Sequence, residues 1–486
     1  MSEKGKVDVQ LKKIMENVYE ISKEGLMNTP SRVFASEKIL EDMKGDKTLE
    51  QVGNISFLPG VRKYGMVMPD GHQGYGFPVG GVAGISAEEG VISPGGVGYD
   101  INCGIKLIKT NLRAEEVAEK AEALANILYQ KVPSGLGKGS VEHIADEKEF
   151  DKVLKNGVKW AVENGYGEEN DYICCEDNGC LPEADPSKVS DKAKKRGMGQ
   201  LGSLGSGNHF LEVQKVSEIF DEEVAESFGL FEDQVVVMIH SGSRGLGHQV
   251  CSDYLRKVEK EFSHFIEDLP DRELAYAPAK SDIAEDYYGA MSAAANFAWA
   301  NRQLIAHRVR ECFEKIFGKS WKEMEMESLY DVAHNIAKKE VHKVNGEEEE
   351  LFVHRKGATR AFPAGRKELP EVFKETGQPV IIPGSMGTSS YILKGGPNSL
   401  ELTFGSTAHG AGRLMSRTRA KKEFWGETVQ KDLMHEKIIV KAKSGSTIAE
   451  EAPGVYKDVD EVIKVSDELG IAEKVAKMYP MVNVKG

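Results

Sequence analysis

The chain has 486 residues, 40% of them hydrophobic, and a formal net charge of −14. Its length allows a large buried core, and its acidic balance argues against a protein that binds polyanions by overall charge, while leaving room for a local basic cleft. No stretch reaches the ~18 apolar residues of a membrane span, and residues 1–13 lack the apolar centre of a signal peptide. With six cysteines and no such segment, we expect a cytoplasmic protein with reduced thiols and no membrane partner.

Hydrophobic periodicity predicts strands and helices along the whole chain. The predicted strands cover 79–85, 105–112, 210–216, 234–240, 350–353 and 379–382, and the predicted helices cover 114–131, 283–317 and 459–478. Strand 234–240 is apolar almost throughout, as in a strand that is buried on both faces.

Candidate functional segments extend from about residue 70 to the C-terminus without a linker or a repeat. Because ligands drawn from separate domains are hard to hold rigidly, this distribution favours one domain over residues 1–486. We expect the α/β (α+β) class, with mixed central sheets flanked by helices. Residues 166–195 are polar and irregular, and we expect a surface insertion there.

Glycine makes up 51 residues, about one in ten, against a usual ~7%. Many lie beside histidines, in segments 95–103, 205–210, 239–245 and 405–412. Glycine lets the backbone approach a ligand closely. The segments therefore predict loops shaped around a ligand.

A candidate metal site combines Asp100 and Cys103, three residues apart in one of these turns, with His209, His240 and His334. Carboxylate, thiolate and imidazole all ligate metals. Ligand softness favours zinc, and the carboxylate leaves manganese or iron open. The alternative is that each histidine only satisfies a local hydrogen bond.

Two segments suggest phosphate binding. Residues 383–390 follow an apolar strand and offer backbone N–H groups and hydroxyls to an anion. Segment 405–412 places His409 at a predicted helix start, with Arg413 and Arg417 after it. A neutral imidazole can attack phosphorus directly. The chain contains no Lys-x-Asp-Gly, so a lysine nucleophile of the adenylating type is not expected.

These segments together closely resemble the RtcB family of GTP- and Mn²⁺-dependent RNA ligases. The resemblance runs from about residue 55 to the C-terminus and rests on segments 68–76, 95–103, 205–212, 240–245, 334–335, 354–358, 383–386 and 405–412. It implies an RtcB-type fold. It also implies an enzyme that joins an RNA 3′-phosphate or 2′,3′-cyclic phosphate to a 5′-hydroxyl, as in tRNA splicing and RNA repair.

The resemblance assigns roles to particular residues. It implies that His409 attacks the α-phosphate of GTP and holds GMP, which then passes to the RNA 3′-phosphate to give an RNA-ppG intermediate. It implies that two Mn²⁺ ions are held by Asp100, Cys103, His209, His240 and His334, with Cys103 shared. The implied nucleotide contacts are Asn208, His209, Phe210, Leu211, Glu212, His334, Asn335, Pro383, Gly384, Ser385, Met386, Ser390, His409, Gly410, Ala411, Gly412, Tyr456 and Lys485.

Further expectations concern the partners. The RNA would be tRNA halves or broken RNA ends, an archease-like activating protein would be a helper, and the chain would be a monomer. A local basic groove would hold RNA phosphates through Arg244, Arg355, Lys356 and Arg413. Two alternatives stay open. One is a metal-dependent RNA phosphodiesterase or phosphatase without ligation, and the other is a non-catalytic sensor of RNA ends.

Overall fold

Two large β-sheets organise the chain, and helices pack against both. The computed structural model describes residues 9–135, 144, 146–267 and 269–486. The N-terminal boundary of the predicted domain and part of the segment expected to lack a signal peptide lie outside these residues. They stay predictions.

Strands occur from one end of the described chain to the other. They are β1 (Leu11–Met15), β2 (Val18–Ile21), β3 (Ser31–Phe34), β4 (Gly65–Tyr75), β5 (Phe77–Ser86), β6 (Val91–Ile92), β7 (Gly104–Arg113), β8 (Phe210–Ile219), β9 (Gln234–Ser241), β10 (Ala277–Pro278), β11 (Glu327–Ala333), β12 (Asn335–Val344), β13 (Glu347–Lys356), β14 (Ala358–Arg360), β15 (Pro379–Ile382), β16 (Ser390–Gly395), β17 (Ser406–Ala408), β18 (Ile439–Ala442) and β19 (Ala472–Lys485).

Helices lie between the strands. They are α1 (Glu37–Lys44), α2 (Thr48–Ile55), α3 (Ala114–Ala118), α4 (Ala121–Lys131), α5 (Glu147–Glu163), α6 (Glu169–Ile173), α7 (Asp191–Met198), α8 (Glu222–Phe228), α9 (Arg244–Glu261), α10 (Ser263–Ile266), α11 (Asp282–Phe317), α12 (Ser399–Thr403), α13 (Arg417–Glu423), α14 (Gly426–His435), α15 (Gly445–Glu450) and α16 (Val459–Glu468).

The first sheet has the strand order β1-β2-β3-β4-β5-β13-β12, and the second has the order β11-β7-β9-β8-β19-β16-β15, with β18 beside β19. Most neighbouring strands are antiparallel; β3 with β4 and β18 with β19 are parallel. The two sheets are linked directly, because β11 of the second sheet leads into β12 of the first through His334. The expected mixed sheets flanked by helices are confirmed.

The second sheet is buried on both faces. Val235, Val237 and Ile239 of β9 pack into one hydrophobic cluster, whereas Val236 and Met238 pack into another. Alternate side chains of a strand point to opposite faces, so this packing explains why the strand reads as a continuous apolar run.

Most predicted elements are confirmed, and two are corrected. The predicted helix 114–131 is two helices, α3 and α4. The predicted helix 459–478 is wrong in its second half, since α16 ends at Glu468 and β19 begins at Ala472. Gly470 between them has φ +64°, the left-handed conformation that ends helices.

Segment 166–195 is not simply a surface insertion. It includes α6 and most of α7, and its Asp171 is fully buried. The Asp171 carboxylate pairs with Arg310 of α11 at 2.7 Å, and Glu176 pairs with Lys338 of β12. These buried ion pairs join the segment to the core. The sequence did not reveal them because the partners lie more than 130 residues away.

In the part of the chain that the structure describes, no helix has both the length and the apolar character needed to cross a membrane.

Candidate metal and nucleotide site

Antiparallel pairing brings the predicted metal ligands to one edge of the second sheet. Gly104, the first residue of β7, pairs with Ser241 at the end of β9 and with Ala333 at the end of β11. Phe210, which begins β8, pairs with His240. In antiparallel strands, the start of one lies beside the end of the next. Residues just before β7 and β8 therefore meet residues at the ends of β9 and β11.

The ligand atoms converge. Cys103 Sγ lies 3.4 Å from His209 Nε2 and 3.2 Å from His240 Nε2. His209 Nε2 is 2.8 Å from Asp100 Oδ2, and His240 Nε2 is 3.2 Å from His334 Nε2. Ligand bonds of about 2.0–2.3 Å put neighbouring ligand atoms roughly 3–4 Å apart, so these separations suit ligands that share a metal ion.

A buried arginine holds the loops that carry these ligands. Arg302 of α11 donates hydrogen bonds to the carbonyl oxygens of Asn102 and Ser241, at 2.8 and 2.9 Å, and to Asp331. Asn102 adopts φ +50°, a left-handed conformation that asparagine tolerates well. Arg302 thus fixes the residue before Cys103 and the residue after His240.

Burial sets the protonation of the cluster. It lowers the pKa of His240 and of His334 well below the ordinary value, so both imidazoles are neutral, as metal ligands must be. Burial also raises the pKa of the Cys103 thiol well above its usual range. Burial would raise the pKa of Asp100 as well, but His209 beside it brings the net pKa below the ordinary value.

These residues fit a divalent cation. Asp100 Oδ1 is buried without a hydrogen-bond partner among the described residues, which leaves it free to bind a cation. Cys103, His209 and His240 offer ligand atoms within 4.8 Å of one another. A cation would stabilise the buried thiolate, which the protein alone disfavours. The alternative in which each histidine satisfies only a local hydrogen bond is not favoured.

His409 lies next to this cluster, with its ring 4.9 Å from that of His334. Its Nδ1 lies 2.5 Å from Asp70 Oδ2, which also accepts from the backbone N–H groups of His409 and Gly410. Asp70 is fully buried on β4. Burial would raise its pKa, but His409 lowers it, and the net pKa is below the ordinary value. An ionised Asp70 holds the proton on Nδ1 and leaves the Nε2 lone pair free.

One cavity of about 730 Å³ is lined by His409 and by four members of the cluster, Asp100, Cys103, His240 and His334, and its size is typical of small-molecule sites. Most of the residues that the resemblance assigns to the nucleotide line it. They are Asn208, Phe210, Glu212, His334, Asn335, Pro383, Gly384, Ser385, His409, Gly410, Ala411, Gly412, Tyr456 and Lys485.

Four assigned residues do not line the cavity: His209 belongs to the metal-ligand cluster, and the other three lie behind the cavity wall. Leu211 is fully buried and faces the core, because it alternates with Phe210 and Glu212 along β8. Met386 packs against the C-terminal helices, and Ser390 Oγ accepts a hydrogen bond from the backbone N–H of Gly384. Their side chains support the cavity, and their role as nucleotide contacts stays a prediction.

Glu212 is a buried carboxylate in the cavity wall. It accepts hydrogen bonds from Gln214 Nε2, at 2.5 Å, and from Asn483 Nδ2. Burial raises its pKa to about 7, although Lys485 lowers it. The Lys485 ammonium lies 5.1 Å above the Phe210 ring and is itself buried. Lys485 is the last residue of β19 and pairs with Phe210 of β8.

The four arginine and lysine candidates for RNA phosphate differ in their surroundings. Arg355 is fully buried and pairs with Glu340 at 2.6 Å, so the structure contradicts its expected RNA contact. Lys356 and Arg413 do line the cavity. Arg244, with φ +55°, lies beside it and donates to the Gly135 carbonyl oxygen at 3.1 Å. The sequence could not show that Arg355 points into the core and Lys356 into the cavity. Alternate side chains of a strand point to opposite faces, and only the position of β13 in the sheet decides which face is which.

Segment 405–412 is not the start of a helix. Residues Ser406–Ala408 form β17, which pairs with β14, and α13 begins only at Arg417. His409 therefore follows a strand, and Asp70 rather than a helix N-terminus supports it. Segment 383–390 follows β15, the expected apolar strand, and its last residue begins β16; its role in binding an anion stays a prediction.

Sequence reasoning missed Asp70 and Glu451 as site residues. Asp70 lies in segment 68–76, one of those that carry the family resemblance, and this was the one available signal. His72, in the same segment, lines the cavity, and its Nδ1 is 3.1 Å from the Asp70 carbonyl oxygen. Glu451 is buried, accepts a hydrogen bond from Tyr456 and pairs with Arg413 at 3.2 Å. No local pattern marks it.

Comparison with known proteins identifies the family. The sequence model of the RtcB family, described as tRNA-splicing ligase RtcB, matches residues 51–486. A Thermococcus kodakarensis protein named tRNA-splicing ligase RtcB is 56% identical over 480 residues, covering 98% of this chain and 99% of that protein. Proteins of the same name from Nanoarchaeum equitans and Pyrobaculum aerophilum are 52% and 51% identical, over 99% of this chain and 100% of each relative. The chain belongs to the RtcB family.

Proposed function

We propose that this chain joins an RNA 3′-phosphate or 2′,3′-cyclic phosphate end to a 5′-hydroxyl end, through a guanylylated His409. Family membership makes it an RNA ligase of tRNA splicing. The observation that carries the mechanism is the position of His409, whose Nδ1 is bound to Asp70 and whose ring lies beside the metal-ligand cluster in one cavity.

The metal part of the proposal is two Mn²⁺ ions. The ligand atoms form a continuous series of contacts from Asp100 through His209, Cys103 and His240 to His334, and five ligands in such a series are enough for two ions that share Cys103. A thiolate has enough lone pairs to bridge two cations. When bound, the ions would neutralise phosphate charge and help to orient the leaving group.

In the first step, His409 Nε2 attacks the α-phosphorus of GTP. The N–P bond forms as the bond from phosphorus to the pyrophosphate oxygen breaks, and pyrophosphate carries the electron pair away. Asp70 stabilises the positive charge that develops on the ring. The product is GMP attached to His409 by a phosphoramidate.

In the following steps, an RNA 3′-phosphate oxygen displaces His409 from the GMP phosphorus. The RNA 5′-hydroxyl then attacks the activated 3′-phosphate and releases GMP. A cyclic phosphate is first hydrolysed to the 3′-phosphate. Lys356, Arg413 and Arg244 are the cations proposed to hold RNA phosphates, because the first two line the cavity and the third lies beside it.

Guanine selection is assigned to Glu212. An ionised carboxylate accepts the N1–H and N2–H groups of guanine, whereas adenine offers no such pair of donors on that edge. Tyr456 lines the same cavity and offers a ring for stacking. RNA is the substrate class, an archease-like protein is the proposed helper, and a monomer is the proposed state.

The test is incubation with α-labelled GTP and Mn²⁺, followed by denaturation. We expect acid-labile, base-stable label on the wild-type chain and none on His409→Ala. The matched control is His435→Ala, because His435 is exposed on α14. Absence of label on the wild type with any nucleotide and metal would overturn the proposal. Removal of terminal phosphates by such a protein would favour the phosphodiesterase or phosphatase, and RNA-end binding alone would favour the sensor.

A further inference from the structure

Three aromatic rings form a cluster at the mouth of the cavity. Tyr99 stacks on His248 of α9, with ring centroids 4.9 Å apart and 25° between the planes. Tyr75, the last residue of β4, meets Tyr99 edge to face at 6.4 Å. Tyr75 and Tyr99 line the cavity. The cluster is assembled from three separate parts of the chain.

These rings are open to solvent. Tyr75 is 63% exposed, His248 is exposed and Tyr99 is half-buried. Aromatic rings that serve only the core bury most of their surface, as the fully buried Tyr287 and Tyr330 do here. An exposed stacked pair therefore retains free ring surface for a further flat group.

Cations lie beside the cluster. Lys356 Nζ donates to the Tyr75 carbonyl oxygen, and its side chain lies over the face of Gly98 where another residue would carry its Cβ, next to Tyr99. Arg244 lies one helical turn before His248 on α9. Tyr99 directly precedes Asp100, a proposed metal ligand. The ring cluster thus has Lys356 bonded to Tyr75, Arg244 on the same helix as His248, and a proposed metal ligand next to Tyr99 in the chain.

We propose that Tyr75, Tyr99 and His248 form a stacking platform for the nucleobase of an RNA end, and that Lys356 and Arg244 take up the phosphate beside that base. This inference rests on the proposed ligase function and adds a base subsite to it. Single-stranded nucleic acid is held in this way elsewhere, by aromatic faces that accept any base next to cations that follow the backbone.

Sequence tolerance follows from this geometry. Every base has a flat face, and a stacking platform makes no use of the hydrogen-bonding edge that distinguishes bases. The platform therefore suits an enzyme that accepts RNA ends of different terminal sequence. It also requires that the terminal nucleotide be unpaired when it binds.

The first test uses single RNA ends that carry 2-aminopurine at the terminal position, without a second end to join. We expect the fluorophore to be quenched on binding wild-type protein and the dissociation constant to rise about 5- to 100-fold in Tyr99→Leu. Tyr99→Phe is the matched control, because it keeps the ring and removes only the hydroxyl. Equal binding by the leucine and phenylalanine variants would overturn the proposal.

The second test removes the base instead of the ring. An abasic terminal nucleotide is placed on either the 3′-phosphate strand or the 5′-hydroxyl strand, and affinity is compared between wild type and Tyr99→Leu. We expect one of the two strands to lose affinity on the wild type and to show no further loss on the variant, which also tells which end uses the platform. The proposal would be overturned if neither strand lost affinity when its base was removed. It would also be overturned if removal of the base weakened binding by the same factor in the wild type and in Tyr99→Leu.

Guanylylation with labelled GTP is measured on every variant as a check of folding and of the metal site. A loss of RNA affinity is taken as evidence for the platform only when it is larger than the loss of guanylylation in the same variant. The same measurement separates the two proposals. A wild-type protein that takes no label would refute the ligase mechanism, whereas quenching of the terminal base reports on the platform alone.

Discussion

Single side chains decide whether the histidine in the cavity can act as a nucleophile. His409 lies in a small-residue segment, yet its chemistry depends on a carboxylate 339 residues earlier. Asp70 contacts both the ring and the backbone N–H of His409, and therefore fixes its tautomer and its orientation together. Glu212 likewise depends on Gln214 and Asn483, which orient its oxygens.

We predict that Asp70→Asn slows guanylylation by about 10²-fold or more, with little change in GTP affinity. The amide keeps the size of the side chain but cannot stabilise the charge that develops on His409, and it permits the wrong tautomer. Single-turnover labelling with saturating GTP measures the effect. A variant labelled at the wild-type rate would show that Asp70 only supports the fold.

We predict that GTP affinity weakens as the pH falls from 8 to 6. Burial raises the pKa of Glu212 to about 7, so its carboxyl takes up a proton in this range and loses its ability to accept both guanine N–H groups. Glu212→Gln should bind GTP weakly at all these pH values and discriminate less against ATP. Titration calorimetry of both nucleotides checks this. If GTP affinity still depended on pH in the Glu212→Gln variant, a group other than Glu212 would be responsible for that dependence.

At the scale of elements, antiparallel pairing places the site. One edge of the second sheet contains the ends of β9 and β11 and the starts of β7 and β8. His409 follows β17 and reaches this edge, where it contacts Asp70 of β4 in the first sheet. The rule that places ligands at the carboxyl ends of parallel strands does not apply here, because these strands are antiparallel, although His240 is the last residue but one of its strand. Helix α11 contributes Arg302, which ties two of these loops together.

We predict that Arg302→Met destabilises the protein by about 3–5 kcal/mol, because it leaves Asp331 buried and unpaired. The variant should also bind Mn²⁺ more weakly, since the Asn102 and Ser241 carbonyl oxygens lose their donor. Adding Asp331→Asn should restore part of the stability but not the metal affinity. Denaturant unfolding and metal titration measure both. A double variant no more stable than the single one would contradict the buried-charge explanation.

At the scale of the whole molecule, an acidic chain carries a locally basic site. The net charge is −14, yet the cavity wall includes Lys356, Arg413, Arg417, Arg419 and Lys485. Arg355, expected in this groove, is neutralised inside the protein by Glu340. The basic groove is therefore smaller than the basic runs of the sequence suggest.

We predict that RNA affinity falls steeply with salt, and that Lys356→Gln reduces the slope of log K against log salt by about 0.7. Because burial lowers the pKa of Lys356 to about 8, this contribution should be lost as the pH rises past 8. Lys343→Gln, an exposed residue of β12, is the control and should leave the slope unchanged. Affinity that is indifferent to salt would contradict the groove.

The sequence alone determined the residue types of the site, six strands that belong to the two large sheets, and the family. Local patterns were sufficient because glycine-rich loops, apolar strands and clustered histidines are properties of neighbouring residues. Only the tertiary structure decided which of these residues contact one another. It paired Asp70 with His409, buried Arg355, joined segment 166–195 to the core and turned residues 472–485 into a strand. Each of these outcomes depends on a partner far away in the chain, and only strand register and burial bring such partners together.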